Sequence, residues 1–187
     1  MKKLTVTLSM VALFLLAAGP LVMAEVSMPR IFSNHMVLQR DQEMKLWGWA
    51  DKGESISVTL NGKKASTRAD KAGNWMVTLP PQLFGGPFLL QVKGKSNTLT
   101  FTNVMIGDVW VCSGQSNMEW IVRNTNHSTR EIGEANHPSI RLFTVAKAMS
   151  FSPQEDLAGG EWQVCSPETV ADFSAVAYFF GRKLNAD

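Results

Sequence analysis

The sequence predicts an antiparallel β-sandwich followed by the beginning of an α/β domain. Residues 36–103 alternate apolar and polar positions in short runs that are separated by turn signals, a pattern typical of a sandwich. From residue 106 onward, apolar strand-like runs alternate with segments of helical composition, which indicates α/β architecture. We therefore expect a β-sandwich domain at 25–103 and the incomplete start of an α/β domain at 104–187.

Residues 1–24 have the pattern of a secretory signal peptide. The segment begins with two lysines, continues with a mostly apolar run over 4–18 and ends in Val22-Met23-Ala24, whose small residues suit a signal peptidase. A transmembrane anchor is the alternative, but Gly19-Pro20 interrupts the run and no basic cluster follows. We expect cleavage after Ala24, export by a bacterium to the periplasm or medium, and no membrane contact afterwards.

The charge balance gives no indication of a nucleic-acid partner. The 18 basic residues include Lys2 and Lys3, so the mature chain carries as many basic residues as its 16 acidic ones. Six tryptophans are many for this length; in an exported protein they stack on sugar rings or, alternatively, pack in the core. Histidine pairs, paired C-x-x-C units and calcium-loop carboxylates are missing from the sequence. We predict neither a metal nor a cofactor.

The first part contains six predicted strands. Asn61-Gly62 is a strong hairpin signal between the second and third of them. Turns are also expected at 71–74 and at Pro80-Pro81, with a loop at 85–87. The six predicted strands are 44–47, 55–60, 63–68, 75–79, 88–92 and 98–102.

The second part reads as strand, helix, strand and helix. We expect a buried strand at 106–112, helix and loop over 121–137, a strand at 140–145, a short strand at 161–164 and a helix over 174–184. A doubly wound α/β domain needs more residues than these, so we expect this part to be incomplete.

Ser116 is the candidate catalytic residue. The expected strand at 106–112 leads through Ser113-Gly114 to Ser116, and Gly114 permits a tight turn and leaves space above the serine. If a helix opens at 117–122, the backbone N–H of Ser116 or Asn117 can receive an oxyanion. The turn is not the α/β-hydrolase elbow, because Met118 stands where that motif needs glycine. From local pattern alone, Ser116 is either a nucleophile or a helix-capping serine.

A serine nucleophile needs a base, usually histidine. The chain offers His35 in the predicted sandwich, His127 in a polar loop and His137. The spacing of Glu134 and His137 mimics an acid–histidine pair, but a loop histidine before Pro138 is the alternative. None of the three is a convincing base.

Two cysteines, Cys112 and Cys165, are present. An even count in an oxidising compartment permits one disulfide. The alternative is a pair of buried thiols that behave as small apolar side chains.

The segment Gly107–Trp120 closely resembles the sialate O-acetylesterase family within the SGNH hydrolases. Gly114-Gln-Ser-Asn-Met118 in that context is a specific signal. The resemblance continues through most of the mature chain, so the chain is similar to the N-terminal part of such an enzyme. The further matching segments are 32–40, 47–50, 138–143, 160–167 and 173–182.

The resemblance implies a flavodoxin-like catalytic domain in which Ser116 is the nucleophile and its own N–H contributes to the oxyanion hole. In the family, a later Gly and Asn complete the hole, and the base His with its Asp lies near the end of the catalytic domain. This implies that those groups lie beyond Asp187 and that the chain alone is inactive.

The implied reaction is serine ester hydrolysis that releases acetate from an O-acetylated sugar, by family analogy a sialic acid. Acetylated xylan or another acetylated glycan is an alternative substrate, because a fold does not fix its substrate. A competing hypothesis is a non-catalytic glycan-binding β-sandwich module. It is motivated by the tryptophan content and the missing base.

Overall fold

The computed structural model describes residues 25–186. The predicted signal peptide at 1–24 lies outside the described residues. The strands are β1 (Val37–Gln39), β2 (Met44–Trp49), β3 (Ser55–Leu60), β4 (Lys63–Arg68), β5 (Asn74–Leu79), β6 (Gly85–Lys93), β7 (Thr98–Gly107), β8 (His137–Phe143) and β9 (Trp162–Cys165). The helices are α1 (Ser116–Glu119), a 3-10 turn (Val122–Asn124), α2 (Ser128–Gly133), α3 (Pro167–Val170) and α4 (Ala175–Ala186).

Strands β1 to β7 form two sheets around one hydrophobic core. The larger sheet has the order β1-β7-β6-β3-β4, with β1 parallel to β7 and the other pairs antiparallel. Strands β2 and β5 form a separate antiparallel pair. Both sheets bury alternate residues, as the period of two along a strand requires. All six strands predicted between residues 44 and 102 are confirmed. We call residues 25–107 the β unit.

The hairpin between β3 and β4 shows how local chemistry sets the register. Asn61 and Gly62 both have positive φ, 46° and 71°, as a two-residue primed turn requires. Leu60 therefore pairs with Lys63 and Val58 with Ala65. This register places Leu60 and Val58 in the core, where both are fully buried.

A second, smaller hydrophobic core lies in the part of the chain after β7. Strands β8 and β9 pair antiparallel, and the helices pack against them. Its buried members are Val122, Ala135, Leu142, Cys165, Val170, Ala175 and Tyr178. Beside them, Glu131 of α2 is only 9% exposed and accepts hydrogen bonds from Arg182 (2.5 Å) and Arg130 (3.0 Å).

Polar contacts join the two cores. The indole Nε1 of Trp162 donates to the carbonyl of Ile31 at 2.8 Å. The Nη2 of Arg141 donates to Oδ1 of Asn103 at 3.1 Å, and Arg141 is buried deeply enough to lower its pKa. The Asn103 amide in turn lies 2.8 Å from Nδ1 of His35.

The strand predicted at 106–112 is wrong beyond Gly107. There β7 ends, and Val109, Trp110 and Val111 are 37%, 61% and 90% exposed. A strand satisfies the hydrogen bonds of its backbone N–H and C=O groups by pairing with a neighbouring strand. No strand within residues 25–186 runs beside 108–112. The run 108–112 therefore forms no strand in the structure, although its apolar composition is typical of one.

The secondary structure after β7 also differs in detail from the predicted α/β order. Because β8 and β9 are antiparallel, the described residues contain no parallel sheet beyond the β1–β7 pair. The helix expected at 117–122 is the four-residue α1, whereas the helix expected at 174–184 is present as α4. His137 begins β8 rather than lying in a loop. The chain is mostly β-strand with few helices.

The ion pairs of Glu131 predict a pH-dependent stability. Hydrogen bonds from Arg182 and then Arg130 hold the pKa of Glu131 below its ordinary 4.5. A depressed carboxyl pKa stabilises the fold fully above the ordinary value, and this stability is lost as pH falls through the folded-state pKa. Glu131→Gln should lower the free energy of unfolding at neutral pH by about 1–3 kcal/mol.

Urea unfolding at neutral pH and at acid pH measures this effect. The Glu131→Gln variant should lose less stability on acidification than the native protein. Glu134→Gln, an exposed glutamate on the same turn, is the control. An unchanged acid dependence in Glu131→Gln would show that the ion pairs contribute nothing.

Candidate active site around Ser116

Ser116 lies at the start of α1 in an exposed turn. The carbonyl of Gln115 accepts the N–H groups of Met118 at 2.9 Å and Glu119 at 3.1 Å. Gln115 is the N-cap residue, so Ser116 does not have the capping position that the alternative interpretation required. The Ser116 side chain is exposed to solvent, where it could meet a substrate.

The chain after Ser116 is fixed to the second core by backbone pairing. Trp120 accepts the N–H of Ala175 at 2.8 Å, and the N–H of Val122 donates to Phe173 at 3.1 Å. Between them, Ile121 and Ser174 form a β-bridge. The serine turn therefore sits against the start of α4.

Side chains also connect the turn to α4. The Ser174 hydroxyl lies 3.3 Å from the sulfur of Met118. Gly114 packs on the same residue, because a Cβ on Gly114 would lie 3.2 Å from Cβ of Met118. A glycine here lets the chain pass close to α1. The tight turn and the open space above Ser116 that are expected of Gly114 stay predictions.

The chain before the turn is held by Asp108. Its carboxylate accepts a hydrogen bond from Nε of Arg40 at 2.9 Å, which holds the pKa of Asp108 below its usual range. The N–H of Val109 donates to Oε1 of Gln39 at 2.8 Å. Residues 110–115 then run exposed to solvent. No sequence pattern predicts the Arg40–Asp108 pair, since its members lie far apart in the chain.

The structure does not bring a histidine to Ser116. His35 lies beside Asn103 in the β unit. His127 is exposed with a φ of 59° before α2, and His137 lies 6.2 Å from the ring of Tyr178. Within residues 25–186, no hydrogen bond joins any of the three to Ser116.

Known proteins of similar sequence and structure decide the family. No protein-family model matches the chain. The sialate O-acetylesterase of Mus musculus is 33% identical over 170 residues, which are 81% of this chain and 31% of that protein. The sialate O-acetylesterase of Homo sapiens is 33% identical over 171 residues, 81% of this chain and 33% of that protein. The chain belongs to the sialate O-acetylesterase family.

A solved structure supports the same relationship. A carbohydrate acetylesterase from Xanthomonas citri superposes on this chain with a TM-score of 0.85 and 40% sequence identity. The superposition covers 87% of this chain and 38% of the acetylesterase. The fold described above therefore resembles the matching part of that carbohydrate acetylesterase. The chain spans about a third of the length of the curated relatives it matches.

The two cysteines of this family member are not bonded to each other. Cys112 is exposed in the segment before Ser116, and Cys165 is buried in the second core. The Cys165 sulfur lies 3.9 Å from the carbonyl of Ala135, and burial raises the pKa of its thiol to about 11. Both thiols are free in the structure and lie in different surroundings. The alternative of two buried thiols holds for Cys165 alone.

An exposed apolar patch lies next to the serine turn. Trp110 packs edge-to-face on Phe180 of α4 with ring centroids 5.2 Å apart, and Phe180 is itself 42% exposed. Val111, Val176 and Leu184 are also exposed. The sequence predicts a buried strand for this apolar run, and so it does not predict the patch.

No group of three or more His, Cys, Asp or Glu side chains in residues 25–186 is placed to hold a metal ion. None of the described helices has the length and apolar character needed to cross a bilayer.

The different surroundings of the two cysteines predict different thiol reactivity. Thiolates react and thiols do not, so Cys112 should react with Ellman's reagent in the folded protein and Cys165 only after denaturation. The measurement is the number of reactive thiols with and without guanidinium. Cys112→Ser should remove the fast-reacting group. Finding no reactive thiol in guanidinium without reductant would show that a disulfide forms.

Proposed function

We propose that this protein is a serine esterase that removes O-acetyl groups from a sugar, with Ser116 as the nucleophile. The observation that carries the proposal is the exposed Ser116 turn, held to the β unit on one side and to α4 on the other, inside the family-specific segment Gly114–Met118. A nucleophile needs such a fixed position to meet a carbonyl carbon at reacting distance.

The proposed chemistry begins with attack of Ser116 Oγ on the acetyl carbonyl. The Oγ proton passes to a base, and the carbonyl oxygen becomes an oxyanion that the backbone N–H of Ser116 stabilises. Collapse of this intermediate releases the sugar hydroxyl and leaves an acetyl group on Ser116. Water then attacks the acetyl group and releases acetate. Gly114 is proposed to shape the turn, because it lets the chain pass close to Met118.

We propose that the base is none of His35, His127 and His137. Their positions support this, since each has its own surroundings away from Ser116. The resemblance implies instead a later His and Asp for the base, and a later Gly and Asn for the oxyanion hole.

The proposed architecture is a β-sandwich at 25–103 and the first part of an SGNH-type domain at 104–187. Two separate hydrophobic clusters support this division. The sheet order around the first cluster, with alternate residues turned inward, supports the sandwich. Residues 1–24 are proposed to direct export.

The proposed substrate is an O-acetylated carbohydrate. The curated relatives are named for sialate esters and the structural relative for carbohydrate esters in general. An acetylated sialic acid is the first substrate to test, and acetylated xylan the second. No nucleic acid is expected to bind.

Replacing the nucleophile tests the proposal. In the protein expressed from its complete gene, Ser116→Ala should lower kcat for acetate release by at least about a thousandfold, because the acetyl-enzyme cannot form. Ser113→Ala, an exposed serine in the same segment, is the matched control and should retain activity. The measurement is acetate release from acetylated sialic acid and acetylated xylan. Unchanged turnover in Ser116→Ala would refute the role of Ser116.

The isolated 187-residue chain provides a second test. Without a base near Ser116, it should hydrolyse p-nitrophenyl acetate no faster than its own Ser116→Ala variant. The comparison uses initial rates at neutral pH. A Ser116-dependent rate typical of esterases would mean that one of the three histidines reaches Ser116 after all.

A further inference from the structure

The outer face of the β2–β5 sheet carries an open cavity that the esterase proposal does not use. Its volume is about 490 Å³, within the range of about 300–1,000 Å³ typical of small-molecule sites. Its lining combines indole rings with acidic and amide groups: Trp47, Trp49, Asp70, Asn74, Trp75 and Met76 line it, together with Gly48 and Glu155. None of these residues belongs to the segment 107–122 around Ser116.

Strand alternation places two tryptophans on the outward side of β2. Trp47 and Trp49 alternate with buried residues, and their partners across the strand pair are Met76 and Asn74 of β5. Trp47 is 39% exposed and Met76 is 53% exposed. The outward face of an antiparallel sheet is normally polar, so a Trp–Met platform there needs another explanation.

Buried aromatic side chains hold the indole of Trp47 and the backbone of Trp49 in place. Phe32, which is buried, packs edge-to-face against Trp47 with ring centroids 4.7 Å apart. The Nε1 of Trp75 donates to the carbonyl of Trp49 at 3.1 Å. A platform that is ordered before the ligand arrives loses little side-chain entropy on binding.

A first carboxylate stands at one side of the cavity on the β4–β5 turn. Oδ1 of Asp70 accepts the backbone N–H groups of Ala72 at 2.8 Å and Asn74 at 2.9 Å. These bonds fix the carboxylate and keep the pKa of Asp70 below its usual range, the Asn74 N–H contributing most. Asp70 is therefore an anionic hydrogen-bond acceptor at neutral pH.

A second carboxylate comes from the connection between β8 and β9. Glu155 lines the cavity and is exposed. Its neighbour Asp156 accepts the N–H of Arg30 at 2.8 Å and ties this connection to the β unit. The cavity is thus bounded by residues far apart in the chain.

We propose that this cavity binds a neutral pyranose ring of a glycan chain, at a site separate from Ser116. The flat, apolar face of a pyranose matches the exposed indole of Trp47, because large aromatic rings provide rigid apolar contact area. The hydroxyl groups at the rim of the sugar are donors that match the acceptor oxygens of Asp70 and Glu155.

The charge of the cavity selects against acidic sugars. Asp70 and Glu155 are both anionic, and Asp70, Glu155 and Asn74 are the only polar side chains that the lining contains. A uronate or sialate carboxylate placed there would face like charges without a cation, which is unfavourable. The site therefore fits an unsubstituted neutral sugar of the glycan rather than the acetylated, acidic sugar of the esterase proposal.

Isothermal titration calorimetry of the full chain with xylohexaose and with cellohexaose tests the site. At least one should bind, and Trp47→Ala should weaken binding by about tenfold. Trp110→Ala is the matched control, because Trp110 is an exposed tryptophan outside the cavity, and it should bind as the native protein does. Ser116→Ala should also bind normally, which separates this site from the esterase proposal.

Further variants keep the test decisive if Trp47→Ala does not fold. Glu155→Ala changes an exposed residue and should weaken binding severalfold. Hexagalacturonate should bind more weakly than the neutral hexamers, and Glu155→Gln should narrow that difference. The site is overturned if neither neutral hexamer binds, if Trp47→Ala and Glu155→Ala both bind normally, or if hexagalacturonate binds as well as the neutral hexamers.

Discussion

The position of Ser116 depends on a short backbone pairing between residues 120–122 and 173–175. Helix α1 has only four residues, and a helix of that length is not stable by itself. The two flanking hydrogen bonds, from Ala175 to Trp120 and from Val122 to Phe173, attach it to the buried second core. Anything that disturbs the start of α4 will therefore displace the serine.

The β unit could be predicted from its sequence to a large extent. Its strands have period-two alternation, and the Asn61-Gly62 turn fixes the register of one hairpin by backbone conformation alone. Both signals act over a few residues, so they can be read without the rest of the chain. The pairing of β1 with β7 joins segments far apart in the chain, and no local sequence pattern predicts it.

The candidate site was less predictable. The family-specific segment predicts Ser116 as the candidate nucleophile. The run Val109–Val111 resembles a buried strand because composition reports apolar character and not partners. In the same way, the sequence could not decide the state of Cys112 and Cys165, since a disulfide depends on separation in space. The Arg40–Asp108 pair joins residues from distant elements, and so does the cavity on the outer face of the β2–β5 sheet. Such contacts arise from tertiary packing, which no residue pattern encodes locally.

The exposed stretch 110–115 has a consequence for the integrity of the molecule. Proteases cut exposed segments that lack backbone pairing, so this stretch offers one site for a single cut. The two resulting pieces would not separate at once. Trp162 would still donate to Ile31, and Arg141 to Asn103, so the nicked protein would migrate as one particle until denatured. The serine would then remain with the piece that carries α4, detached from the strand that leads into it.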